Sequence, residues 1–166
     1  MNIVIANVPG ILDNGQEVIP FPSRWCSGLP HGQRAPFKFY PYELAALSAL
    51  LKRELPNANV RMIDPNIDRL NGDQTIQAIA ALKPDWLITE CSALTYPTMT
   101  RVMREVRDMR PTQYMRAILC GPMAQDSQKR RDGWDYPIVG EYELKVLETL
   151  GGSPPPEAYT DAGLIN

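Results

Sequence analysis

The sequence predicts an α/β fold, a three-layer sandwich built on a five-stranded parallel sheet. Three observations carry this. Short apolar runs that read as buried strands alternate with helical patterns from end to end. The runs are continuous rather than alternating, as in strands covered on both faces. Finally, 166 residues suffice for one domain that buries about 70% of its unfolded surface, and fall short of two.

The first strand is Asn2-Ile3-Val4-Ile5-Ala6-Asn7-Val8, stopped by Pro9-Gly10. From residue 10 to 41 periodicity disappears while Pro, Gly, Ser and aromatic residues accumulate, which predicts a loop of about thirty residues. Loops beyond about 15 residues are usually functional or disordered. Leu44, Leu47 and Leu51 recur at helical spacing between Pro41 and Pro56, so residues 42–55 are expected to be helical. Residues 60–64 follow as a strand. Ile76, Ile79 and Ala80 mark a short helix that leaves through Lys83-Pro84-Asp85, and residues 86–91 form the central strand.

Met99, Val102, Met103, Val106 and Met109 make one apolar stripe, with Arg101, Arg104, Glu105, Arg107, Asp108 and Arg110 on the other face. The stripe reads as helix-on-sheet packing rather than an adaptable binding groove. The arginines read as a solvated face. Residues 116–120 are a fourth strand closed by Gly121-Pro122, and residues 136–139 a short fifth, followed by a helix through Leu144, Leu147 and Leu150. Residues 1–152 are thus one domain, Rossmann-like or flavodoxin-like in pattern, with the expected strand order 2-1-3-4-5. Residues 153–166, with Pro154-Pro155-Pro156, read as an extended tail or linker.

Composition excludes several function classes. A net charge of −2, from 17 basic and 19 acidic residues, offers no field for nucleic acid or an anionic membrane. No run reaches the roughly 18 apolar residues of a membrane span, and the start lacks a signal-peptide pattern. Cys26, Cys91 and Cys120 are odd in number and far apart, which speaks against a disulfide framework or a Cys-x-x-Cys metal site. A cytoplasmic protein with reduced thiols is expected.

In open α/β sheets ligands bind at the carboxyl ends of the strands, where the strand order reverses. Three loops converge there: residues 7–15, opened by Asn7 and Val8, residues 92–98, and residues 121–125. Gly121 would let a ligand approach the backbone closely. Ser92, Thr95 and Thr98 supply hydroxyls beside a helix N-terminus, a setting that suits a phosphate. The competing reading is that Ser92 or Thr95 simply caps the helix. Nucleophilic catalysis by Cys91 would require a nearby base, and at a strand end Cys91 reads as a packing residue. A receiver-domain reading fails here, because it needs a carboxylate cluster at the end of the first strand to bind magnesium, where this chain has Asn7-Val8-Pro9. Glycine-rich phosphate or dinucleotide fingerprints are missing after that strand.

Leu50-Leu51-Lys52-Arg53-Glu54-Leu55-Pro56, Met62-Ile63-Asp64, Lys83-Pro84-Asp85-Trp86-Leu87-Ile88, Cys91-Ser92-Ala93-Leu94-Thr95, Cys120-Gly121-Pro122 and Val139-Gly140-Glu141-Tyr142-Glu143 come in the order and spacing of a known module. In this the chain resembles the cobalamin-binding domain at the N-terminus of cobalamin-dependent radical S-adenosylmethionine enzymes, over roughly residues 2–150. The resemblance implies a crevice that buries the nucleotide tail of cobalamin, base-off. Ser92, Ala93 and Leu94 would line the tail, Gly121 and Pro122 match the family's Gly-Gly-Pro with Cys120 in place of its first glycine, and Gly140 and Glu141 match its Gly-Glu. The Asp-x-His-x-x-Gly loop whose histidine ligates cobalt elsewhere is reduced here to Asp13-Asn14-Gly15, and the single histidine, His31, reads as an exposed loop residue. The Cys-x-x-x-Cys-x-x-Cys cluster motif of the catalytic barrel does not occur. The resemblance therefore implies a cobalamin-binding module, without catalytic residues or a metal ligand of its own, that a radical S-adenosylmethionine domain or protein would complement. The alternative is an interaction module that kept the fold and lost the cofactor, with Arg24, Trp25, His31, Arg34, Phe37 and Phe39 contacting a partner.

Overall fold

The computed structural model describes residues 1–21, 25–34, 40–125 and 132–153. Strand β1 (Asn2–Ala6) is followed by β2 (Val18–Phe21), β3 (Trp25–Gly28), helix α1 (Tyr42–Glu54), β4 (Asn59–Ile63), a single turn α2 (Pro65–Asp68), α3 (Gly72–Ala81), β5 (Trp86–Glu90), α4 (Tyr96–Asp108), β6 (Arg116–Cys120), β7 (Tyr136–Ile138) and α5 (Glu143–Thr149). The main sheet runs β4-β1-β5-β6-β7 with every pairing parallel. Numbered by their own order along the chain, its strands stand 2-1-3-4-5, as the sequence predicts.

Both faces of the sheet are covered. Ile3, Ile5, Ile88 and Ile118 pack with Leu44, Leu47 and Leu51 of α1 and Val146 and Leu147 of α5. Val4, Leu87, Ala117 and Leu119 point the other way, onto Ile76 and Ile79 of α3 and Met99, Val102, Met103 and Val106 of α4. Adjacent residues alternate between the two faces because the side-chain period of a strand is two. The methionine stripe is thus packing, with Met99 and Met103 fully buried.

Residues 10–41 differ from the plain loop expected. They carry an antiparallel hairpin, β2 on β3, in register from Val18 opposite Gly28 to Phe21 opposite Trp25. Pro20 inside the first strand masks it in sequence, since proline demotes a strand assignment. Arg24, Phe37 and Phe39 lie outside the described residues, and His31 and Arg34 are exposed. The tail beyond residue 153 also lies outside them. No described helix is long and apolar enough to cross a membrane.

Candidate functional site at the carboxyl ends of the strands

The three expected loops do meet at the carboxyl edge, but their polar groups are engaged with one another. Asn7 and Val8 are buried. The Asn7 side chain donates to Asp64 Oδ1 (3.1 Å) and accepts from the Val8 amide (2.9 Å). Asn66, held at the start of α2, donates its amide to the Val8 carbonyl at 3.0 Å and to Asp64 Oδ1 at 3.0 Å. Asp64 caps α2 by accepting from the Asn66 backbone, ahead of Pro65 at the first helical position.

After β5 the chain folds into a tight turn. Ser92 donates its backbone N–H to Thr95 Oγ1 at 3.1 Å, the two hydroxyls lie 3.2 Å apart, and the Ser92 carbonyl accepts from the Thr95 and Tyr96 amides. Thr95 occupies the cap position of α4 without a side-chain capping bond, so the cap reading does not describe these hydroxyls. They close their own turn. Ala93 and Leu94 stay exposed at its tip, and the Thr98 hydroxyl accepts from the Asp13 amide at 3.4 Å.

Gly121 adopts φ +80°, a conformation that favours glycine, and a Cβ there would lie 2.5 Å from Glu90 Cγ. The group that comes close to its backbone is the Glu90 side chain. Parallel pairing puts Glu90 opposite Cys120 on β6, and so directs the carboxyl beneath Gly121. Glu90 is 2% exposed and accepts from the Tyr142 hydroxyl at 2.9 Å. Burial first, and then the neighbouring Glu90, push the Tyr142 phenol well above its ordinary 10.0. Burial, Glu90, Glu143 and Cys91 likewise push the Cys120 thiol up, and a protonated thiol is a poor nucleophile. Cys91 is fully buried in the core on the opposite face. Pro122 opens a 3-10 turn (Pro122–Gln125) on the surface. Gly140 is exposed at φ +81°, Glu141 is half-buried, and together they lead into α5.

The arginines on α4 are ion-paired rather than merely solvated. Arg101 reaches Asp13 Oδ1 (2.7 Å), Asp73 (2.9 Å) and Glu105 (2.9 Å). The Asp13 bond is the largest cause holding its guanidinium more firmly protonated than usual. Arg107 pairs with Asp135 at 2.7 Å, and Tyr96 donates to Asp132 at 2.5 Å. Burial and that bond push the Tyr96 phenol up to about 12. Among the described residues, no group of three or more His, Cys, Asp or Glu could hold a metal ion.

Sequence reasoning placed Asn7, Val8, Ser92, Ala93, Leu94, Thr95, Gly121, Pro122, Gly140 and Glu141 at one edge of the sheet, and did not single out Glu90, Tyr142 or Arg101 as partners. A carboxylate ending an apolar strand, Trp86-Leu87-Ile88-Thr89-Glu90, was the available signal. In fold the chain is similar to a response regulator from Hahella chejuensis, with a TM-score of 0.54 and 13% identity over 91% of this chain and 93% of that one. No family model and no curated protein matches the sequence. At that identity the likeness shows the fold alone. The expected cobalamin function is corrected on these findings. The motif order that suggested it matches no family model, and the fold is met in a response regulator.

Proposed function

We propose that this chain is a receiver-like signalling module that acts by protein contact at the carboxyl-end rim of its sheet, without phosphoryl transfer as its switch. The carrying observation is a closed floor beneath an exposed apolar rim. Tyr42 at the start of α1, with Tyr40 just before it, is 73% exposed, and Leu94 after β5 and Val139 after β7 are 36% and 43% exposed. Aromatic and aliphatic side chains at such a rim favour contact with another protein. The likeness in fold to a response regulator supports the signalling class. Phosphoryl chemistry needs magnesium, held by carboxylates beside the acceptor. Here β1 runs into Asn7-Val8-Pro9, and the Glu90 carboxyl is buried against Tyr142.

Two experiments test the reading. Incubation with acetyl phosphate and magnesium, followed by intact-mass measurement, is expected to leave the mass unchanged, and an acid-labile phosphoryl adduct would overturn it. Affinity capture from the native host should then be compared between Tyr42→Ser/Leu94→Ser and Tyr114→Ser. Tyr114 is 84% exposed and lies just before β6, at the opposite edge of the sheet. Proteins lost with the rim variant and kept by the control support the reading; identical captures from both contradict it.

A further inference from the structure

Between β1 and β2 the chain does not turn directly toward α1 but crosses to the α3 and α4 side. Asp13 is its contact point there: its amide donates to Thr98 Oγ1 and its carboxylate meets Arg101 at 2.7 Å. Arg101 in turn needs Gly72, because a Cβ at that position would stand 2.2 Å from its guanidinium. Beside this contact opens a pocket of about 340 Å³, lined by Leu12, Asp13 and Gly15 and by Asn71, Gly72 and Arg101. A second ion pair, Glu17 with Arg69 at 2.7 Å, holds the far end of the segment.

We infer that residues 9–17 form a strap, latched across the strand-end crevice by the Arg101–Asp13 ion pair, that opens and closes as an ionic-strength-sensitive device. The segment buries Pro9, Gly10 and Leu12, and it is fastened to α4 by the Asp13–Thr98 bond and the Arg101 ion pair. That pair is partly exposed: the Arg101 and Asp13 side chains are 32% and 38% accessible. Pairs of this kind are weak and salt-screened, which makes the closed state reversible. Opening would uncover the Thr98 hydroxyl and the buried Leu12 side chain. The inference stands on the latch geometry and is independent of what docks on the rim.

Amide exchange measured by NMR tests it, with the residue-13 amide as reporter because it bonds from strap to body. Raising NaCl from about 0.05 M to about 1 M, where the Debye length shortens to about 3 Å, is expected to speed that exchange about five-fold. Core amides of β5 should not respond. Arg101→Gln and Asp13→Asn should each speed it similarly at low salt and weaken its salt dependence, while Glu105→Gln, which cuts only the pair within α4, should leave both unchanged. Should Arg101→Gln fold poorly, Asp13→Asn, a change at an exposed site, still decides. Salt-independent exchange in the wild type, or unaltered exchange in Asp13→Asn, would overturn the latch.

Discussion

Replacing Tyr142 by Phe removes one oxygen atom and nothing else, which makes it a sharp probe of how the crevice is closed. The hydroxyl donates to Glu90 Oε2 at 2.9 Å, between a residue that is 2% exposed and one that is fully buried. Water cannot take its place without disturbing the packing of Tyr142 with Ile88, Ile118 and Val146. Stranding a buried acceptor costs about 1–3 kcal/mol. For a chain of this size each kcal/mol lowers Tm by about 2–4 °C. Urea unfolding followed by circular dichroism should show a lower midpoint with an unchanged slope. Tyr114→Phe, at an exposed position, serves as control and should stay within about 0.5 kcal/mol of wild type. Adding Glu90→Leu to Tyr142→Phe should recover part of the loss, since removing both partners strands neither. A Tyr142→Phe midpoint equal to that of the control would refute the reasoning, because the bond would then contribute nothing to closing the strand ends.

Other consequences follow from the same geometry. Tyr142 keeps its phenolic proton in the folded chain where the unfolded chain releases it near pH 10.0, so its contribution is fully present below that pH and is lost as pH rises above it; urea midpoints between about pH 9 and 11 should fall, less steeply in Tyr142→Phe. Gly121→Ala combines a positive φ with a Cβ placed 2.5 Å from Glu90 Cγ, and thermal unfolding should show a loss of about 1–3 kcal/mol, part of it relieved by Glu90→Ala. Met103→Ala should cost about 2–5 kcal/mol in denaturant unfolding, as a core position does; a near-neutral result would return the methionine stripe to the status of a surface groove.

Strand order and helix faces were legible in the sequence because the strands and helices that set them announce themselves by short-range pattern. Asn2-Ile3-Val4-Ile5 and Arg116-Ala117-Ile118-Leu119-Cys120 are continuous apolar runs, and Leu44, Leu47 and Leu51 repeat at the helical period. The hairpin was hidden by Pro20, and α2 by its length of 4 residues, although Asp64-Pro65 carries a helix-start signal. The site itself was legible only as a place. Glu90 and Tyr142 are 52 positions apart and Arg101 and Asp13 are 88 apart, and no periodicity encodes such pairings. Gly121 shows the limit well. Close approach of a ligand was expected there, and the neighbour that the structure places against it is a side chain of the adjacent strand, set by the register of β5 on β6.

The central claim, a closed strand-end crevice that does not take a phosphoryl group, is tested most directly by amide NMR spectra of the labelled protein with magnesium and beryllium fluoride, a mimic of a carboxyl-bound phosphoryl group. The account predicts that the resonances of Glu90, Ser92, Thr95 and Gly121 stay where they are. Saturable shifts centred on those residues would show an open, phosphoryl-accepting site and contradict it.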